Sequence, residues 1–326
     1  MIRRHRTHWL LLAILLFAYG LRTVTLDFQA FWMDEIQAFY FIDRPFASTV
    51  RMLISPEENG PLYFLLLWGW RHLGGSSDFA IRYFSDLASV LTIAVMWQLA
   101  RTWFGRRIAG LTAVLLTISP FAIWYAQEAK MYALHMLLAA LSTLLLVRAA
   151  VRTSRRAISR QSQRAWPLWL GYGITLNLLG YSHFFGGFTI AVQGLVLVVT
   201  SLKRLRVIGA YALTLGIVAL PYIPVVSFVL RILPGFQMQD ISKGFVPLRF
   251  MVQDLAAEYV LRASRLYVDH MGWLLAFAAI GLVLGAYRAW RVDWRKGLWV
   301  TALFILPTAI FYPVSFWVPV FSPKYL

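Results

Sequence analysis

The chain has no cysteine, which excludes disulfides, thiolate metal sites and thiol catalysis. Acid is scarce: 14 Asp and Glu stand against 31 Lys and Arg in 326 residues. There is no P-loop and no Rossmann glycine fingerprint, so nothing points to a nucleotide handled directly. No tandem repeat or low-complexity tract stands out. The basic start Arg3-Arg4-His5-Arg6 and the apolar run after it have the layout of a signal peptide, yet no small-x-small cleavage site follows before Asp27. The run therefore reads as an uncleaved first span.

What is abundant is apolar surface. Hydrophobic residues make up 60% of the chain and aromatics 16%, and mean hydropathy is +0.65. Long apolar runs recur throughout, as in a polytopic all-α membrane protein and not in a soluble domain. Runs long enough to span are Trp9–Leu26, Phe79–Ala100, Ile108–Ala126, Met131–Val151, Trp166–Tyr181, Phe185–Leu202, Val207–Leu230, Met271–Tyr287 and Leu298–Val318, about nine in all. With the N-terminus cytoplasmic, the inner loops hold nineteen of the 31 basic residues and one acid, Asp293. The remaining acids fall on or near the outer side, the asymmetry by which membrane proteins fix their orientation. The net charge of +17 thus comes in bursts between spans, and nucleic acid is not an expected partner.

One membrane domain is expected over residues 1–326, with no separate soluble domain. Its first outer loop, 27–78, is too apolar to be free. Within it Pro61–Trp70 is too short to cross and is expected at the interface, where Trp and Tyr are favoured. Ile36–Phe46 is expected to form a second juxtamembrane helix, stopped at Pro45. In the second large outer loop, 231–270, Leu248, Met251, Leu255, Tyr259 and Arg262 recur at helical spacing and imply a surface helix or lid. The arginine-rich inner loop 148–164 reads as a linker near anionic headgroups.

Five clusters carry chemistry. The first is Phe31–Tyr40, where Asp34 and Glu35 stand side by side among aromatics. A desolvated carboxylate pair is costly unless it has a partner or a task. The plainer reading is an acidic solvated loop. The second is Trp124–Tyr132: with a helix from Gln127, Glu128 and Tyr132 share a face while Lys130 points away. Both charges also fit interfacial snorkellers. The third, Pro56–Pro61, presents Glu57 and Glu58 on a turn. A fourth, Tyr181–Gly187, holds a lone histidine, His183, which is either structural, a metal ligand or a proton carrier. The last, Phe321–Leu326, places Lys324 and Tyr325 where a cation pairs with phosphate or with an acid.

Taken in order, several segments resemble one family. They are the Asp34-Glu35 pair after the first span, Gly60-Pro61-Leu62-Tyr63-Phe64, Arg82–Ala88, Phe104–Gly110, Ser119-Pro120-Phe121, Gln127–Leu134 and the late Pro323-Lys324-Tyr325-Leu326. Together they are similar to the bacterial glycosyltransferase family 39 group, relatives of the dolichyl-phosphate-mannose protein mannosyltransferases and the aminoarabinose lipid A transferases. The resemblance implies a GT-C fold in a bacterial plasma membrane, with a sugar moved from a polyprenyl-phosphate carrier to an acceptor on the outer face. By position, Asp34 matches the family's essential first-loop acid, with Glu35 beside it, and Glu128 its second outer-face acid. Glu58 and His183 match positions that hold a divalent metal in some members, so a metal cofactor is an open expectation. Relatives continue beyond the position of Leu326, which implies a short member or a shortened chain.

The chemistry agrees with the resemblance. A lipid-phosphate sugar carries its own leaving group, so cations that neutralise the departing phosphate are needed more than a general acid. Arg82, Lys130 and Lys324 are candidates, with Tyr132 and Tyr325 beside them. The acceptor hydroxyl needs a base held close, a task for Asp34. Single displacement inverts the anomeric centre. The alternatives are a lipid-linked sugar transporter or flippase, for which mid-span charges and inverted repeats are expected, and a non-catalytic assembly protein.

Overall fold

A computed structural model describes residues 2–53, 60–154, 165–223, 245–262, 268–316 and 322. Among them every regular element is helical: α1 (Ile2–Thr23), α2 (Met33–Ile42), α3 (Phe46–Leu53), α4 (Pro61–Gly74), α5 (Asp78–Phe104), α6 (Arg106–Ile118) and α7 (Pro120–Ala126). The series continues with α8 (Tyr132–Ser154), α9 (Trp166–Ser182), α10 (Gly186–Ser201), α11 (Leu205–Ala219), α12 (Leu248–Leu261), α13 (Val268–Val292) and α14 (Trp294–Val314), and a 3₁₀ turn, Leu220–Tyr222, follows α11.

A helix stands at each of the nine apolar runs. Among the described residues five are long and apolar enough to cross a membrane: α5, α8, α11 with its 3₁₀ turn, most of α13, and α14. The pair α6 and α7 makes a sixth if counted as one broken span, and α1 and α10 supply shorter apolar stretches. The sequence reads Ile108–Ala126 as one continuous span, but the structure bends it by 60°. Pro120 has no N–H to continue the ladder, and its ring drives Ser119 out of the helical region to ψ 118. Ser119 then caps the new helix by accepting from the Ala122 N–H at 3.3 Å.

Two compact units divide the chain near Gly186. In the first, α1, α5 and α6 meet through Ala18, Ala100, Ala109 and Ala113, packed around Ile14, Ile93 and Trp97. Small residues let helix backbones approach closely where lipid gives no hydrophobic drive. The first-loop helices pack on the same unit, α2 against α4 and α4 against α5 and α9. Gly60 makes the turn into α4 at φ +82, a conformation open to glycine, and Pro61 occupies the first helical position. In the second unit α13 and α14 pair, and α12 packs on α13. The expected helix in the second large loop is thus α12, with Met251 and Leu255 buried.

Candidate active site

Helix α5 begins at Ser77, whose side chain accepts from the Ala80 N–H. Its first turns bury Arg82, Ser85, Asp86 and Ser89. The guanidinium of Arg82 has a partner for each N–H. Nε donates to Glu35 Oε1 at 2.8 Å and Nη2 to Oε2 at 2.7 Å. Nη1 donates to the carbonyls of Leu26 and Gln29, both at 2.7 Å, and Nη2 also reaches Ala30 O at 3.4 Å. Below it, the ring of Phe31 lies 4.8 Å from the cation. A buried ion pair is tolerated only when geometry and extra hydrogen bonds offset its desolvation, and a bidentate Arg–carboxylate fork meets both needs.

Glu35 has further partners. It sits in the first turn of α2, where the helix dipole favours anions, and accepts from the Trp32 N–H at 3.4 Å. Its Oε1 also accepts from the Ala129 N–H at 2.9 Å. That bond brings the segment after α7 against the first loop. Asp34, half-buried, is the residue before Glu35, and Glu128 is the residue before Ala129.

Residues 127–131 form no helix, so Glu128 and Tyr132 do not share a helical face, contrary to the sequence expectation. Their backbone is taken up elsewhere: Ala129 N–H by Glu35, and Lys130 O by the Ser85 hydroxyl at 3.3 Å. Gln127 Nε2 donates to Arg22 O at 2.8 Å and Thr25 Oγ1 at 2.6 Å. Glu128 is buried and accepts from Trp124 Nε1 at 2.6 Å. Lys130 is buried, donates to Gln37 Oε1 at 3.1 Å, and stands 5.3 Å from the Phe64 ring. Because Ser85 gives its proton to Lys130 O, the Tyr63 hydroxyl donates to Ser85 Oγ at 2.8 Å. Burial pushes the Tyr63 phenol well above its ordinary value, and the nearby negative charges of Glu35 and Glu128 push the same way.

Between these segments lies a cavity of about 270 Å³. Phe28, Trp32 and Trp124 give it aromatic lining, Gln29, Gln127 and Glu128 polar lining, and the Glu35–Arg82 pair also faces it. Aromatic faces with a few converging polar groups suit a ring-shaped polar ligand. Trp124 and Gln127 belong to the Trp124–Tyr132 cluster, but no sequence signal marks them or Gln29 as lining groups.

The structure thus brings Glu35, Arg82 and Glu128 to one cavity, with Asp34 adjacent in α2 and Lys130 tied to α2 through Gln37. Tyr132 lies apart from that lining, edge-on to Tyr125 at 5.2 Å and 6.4 Å from the His183 ring. His183 is buried, its Nδ1 accepts from the Phe185 N–H at 3.2 Å, and the His135 ring is 5.5 Å away. Glu58, Lys324 and Tyr325 lie outside the described residues. Among those residues no three His, Asp or Glu side chains converge to hold a metal.

Among the described residues the protein is all-helical and rich in apolar helices, and in its first unit Glu35, Arg82 and Glu128 line one loop cavity. The sequence profile of the dolichyl-phosphate-mannose-protein mannosyltransferase family matches residues 58–228, just over half of the chain. The chain belongs to that family. Among solved structures it is similar to ArnT from Cupriavidus metallidurans in the apo state, with 20% identity and a TM-score of 0.64 over 98% of this chain and 57% of that one. It is also similar to the oligosaccharyltransferase AglB from Archaeoglobus fulgidus, solved with an inhibitory peptide and a dolichol-phosphate. There identity is 16% and the TM-score 0.55, over 100% of this chain and 38% of that one. The chain therefore spans less than two thirds of either structure. Comparison with curated protein sequences gives no match.

Proposed function

We propose that the protein is a membrane glycosyltransferase that moves a sugar from a polyprenyl-phosphate carrier to an acceptor hydroxyl on the outer face of the bacterial plasma membrane. The observation that carries this reading is the cavity where the first loop meets the segment after α7, lined by Glu35, Arg82 and Glu128 and walled by aromatics. Family membership supports the donor class, and the apolar helices around the site allow a lipid tail to enter sideways from the bilayer. The distribution of basic residues supports a cytoplasmic N-terminus and an outward site.

In this mechanism Asp34 takes the proton of the acceptor hydroxyl as its oxygen attacks the anomeric carbon. The bond from that carbon to the phosphate oxygen breaks with its electron pair, and the sugar is transferred with inversion. Lys130 holds the negative charge that develops on the departing polyprenyl phosphate. Glu128 orients sugar or acceptor hydroxyls in the cavity. Glu35 and Arg82 act on the reaction through each other: with all five guanidinium donors engaged, Arg82 holds the loop that carries Asp34 rather than the phosphate.

The test is a transfer assay in nanodiscs with a panel of radiolabelled polyprenyl-phosphate sugars, comparing the native chain with Asp34→Asn. Release of free polyprenyl phosphate by the native protein, reduced by about 10²–10⁴ in the variant, is expected if Asp34 is the base. Equal release by both folded proteins would remove Asp34 from that role. No release from any donor would turn the reading toward a transporter.

A further inference from the structure

Arg22 lies at the end of α1, in the first apolar run, yet its side chain has no exposure. Its hydrogen bonds go almost wholly to backbone. Nη2 donates to Leu116 O at 3.0 Å, Nη1 to Thr117 O and to Ala18 O, both at 3.1 Å, and Nε to Ser89 Oγ at 3.0 Å. Leu116 and Thr117 belong to the last turn of α6, immediately before the bend. In a continuous helix Leu116 O would accept from the N–H of residue 120, but residue 120 is proline and has none. Thr117 O loses its helical donor because Ser119 is extended. Carbonyls orphaned inside an apolar helix bundle are costly and need an internal donor. Arg22 supplies both.

The second half of the relationship is where α7 leads. Its seven residues end at Ala126 and lead directly into Gln127, whose side-chain amide donates to Arg22 O and Thr25 Oγ1, and Glu128; both line the cavity. The same residue thus fixes the bend with its side chain and receives the outgoing segment with its carbonyl. Asp86, also without exposure, sits close enough to Arg22 to act on it electrostatically, but neither of its carboxylate oxygens has a hydrogen-bond partner among the described residues. The guanidinium faces the α6 carbonyls rather than the nearest acid.

We propose that Arg22 is a positioning residue of the cavity: it substitutes for the backbone donors lost at Ser119-Pro120 and thereby holds the α6–α7 bend at the angle that brings Gln127 and Glu128 to the first loop. This rests on the reading of the cavity as the transfer site, but its geometry is testable without any transfer.

The absence of native cysteine allows a direct measurement. Thr25→Cys and Gln127→Cys are introduced into the full chain, and the rate of bridging by a short bis-methanethiosulfonate is followed in nanodiscs. Three further changes are made in that background. Arg22→Lys keeps a cation with donors in reach; Arg22→Met/Asp86→Asn removes donors and both buried charges together, so that the fold is not burdened with a lone ion; Asp86→Asn alone removes only the acid. Bridging is expected to be near native in Arg22→Lys and Asp86→Asn and to fall about tenfold in Arg22→Met/Asp86→Asn, as for loss of charge-assisted hydrogen bonds. Native bridging in Arg22→Met/Asp86→Asn would overturn the proposal. So would an equal loss in Asp86→Asn alone, which would make the ion pair, not the carbonyl cap, the organising contact. Bridging as expected, alongside a native chain that transfers no sugar, would leave the positioning role standing and reject the functional reading instead.

Discussion

Arg82 and Glu35 are 47 residues apart in the chain and meet through two parallel hydrogen bonds of 2.8 and 2.7 Å, both side chains almost fully withdrawn from solvent. Removing either partner leaves an uncompensated buried charge, and removing Arg82 also strands the carbonyls of Leu26 and Gln29. Glu35→Ala or Arg82→Ala is therefore expected to destabilise the protein by about 3–5 kcal/mol, read as a shift in denaturant midpoint in detergent. The Arg71–Asp43 pair is an internal control. It is as short, at 2.6 Å, but Asp43 is half exposed, and Asp43→Asn is expected to cost less than about 1 kcal/mol. Equal losses at the two sites would show that burial does not set the value of the clamp.

Glu128 separates a local role from a chemical one. In Glu128→Gln the amide oxygen still accepts from Trp124 Nε1, so the 2.6 Å contact survives, while the carboxylate charge leaves the cavity. Stability is expected to stay within about 1 kcal/mol of native, and kcat/KM for sugar transfer to fall by roughly 10². A variant that loses stability and activity in parallel would make Glu128 a packing residue.

These expectations also show which parts of the site are visible in sequence. The helical character of the apolar runs is legible because lipid demands long apolar segments, and α4 because it is too brief to cross; α2 is legible only in part, since it runs Met33–Ile42 rather than Ile36–Phe46, and a separate helix begins at Phe46. Asp34, Glu35 and Glu128 are legible as acids in a chain that has few. The partnership of Glu35 with Arg82 is not, because no spacing rule links residues brought together only when α5 packs beneath the first loop. The same limit hides Arg22. A cation at the end of an apolar run reads as an interfacial snorkeller, and only the position of Pro120, 98 residues later, explains what its donors are for. Pro120 is itself a sequence signal for the bend that divides Ile108–Ala126.

Gly60 closes the first loop onto the rest of its unit. At φ +82 a side chain is strained by about 1–2 kcal/mol, and a Cβ would also lie 2.8 Å from the Ser182 carbonyl oxygen, a backbone atom with little room to retreat. Gly60→Ala is expected to lower the melting temperature in detergent by more than the backbone strain alone implies and to reduce transfer by displacing α4. Gly75 offers the comparison, since its φ is +92 but a Cβ there meets nothing within 4 Å. Gly75→Ala is expected to show the strain without the clash, and identical effects at the two glycines would argue against the close approach.

Tyr63 gives the pH dependence. Its hydroxyl is buried, donates to Ser85, and lies in the negative fields of Glu35 and Glu128, so its folded-state pKa is raised above the unfolded value of about 10. A tyrosine so shifted favours the folded state while its phenol stays protonated. Its contribution is complete below the unfolded value and is lost as pH rises through that value toward the folded one, because the unfolded chain releases the proton first. Stability is thus expected to be insensitive to Tyr63 near neutrality and to fall in its presence above about pH 10. Tyr63→Phe removes the titrating group and one buried hydrogen bond. It is expected to cost about 1 kcal/mol at pH 7 and to flatten the alkaline decline relative to the native chain. Denaturant midpoints of the two proteins from pH 7 to pH 11 make the comparison, and parallel alkaline curves would show that the phenol is not held in the protonated state by its surroundings.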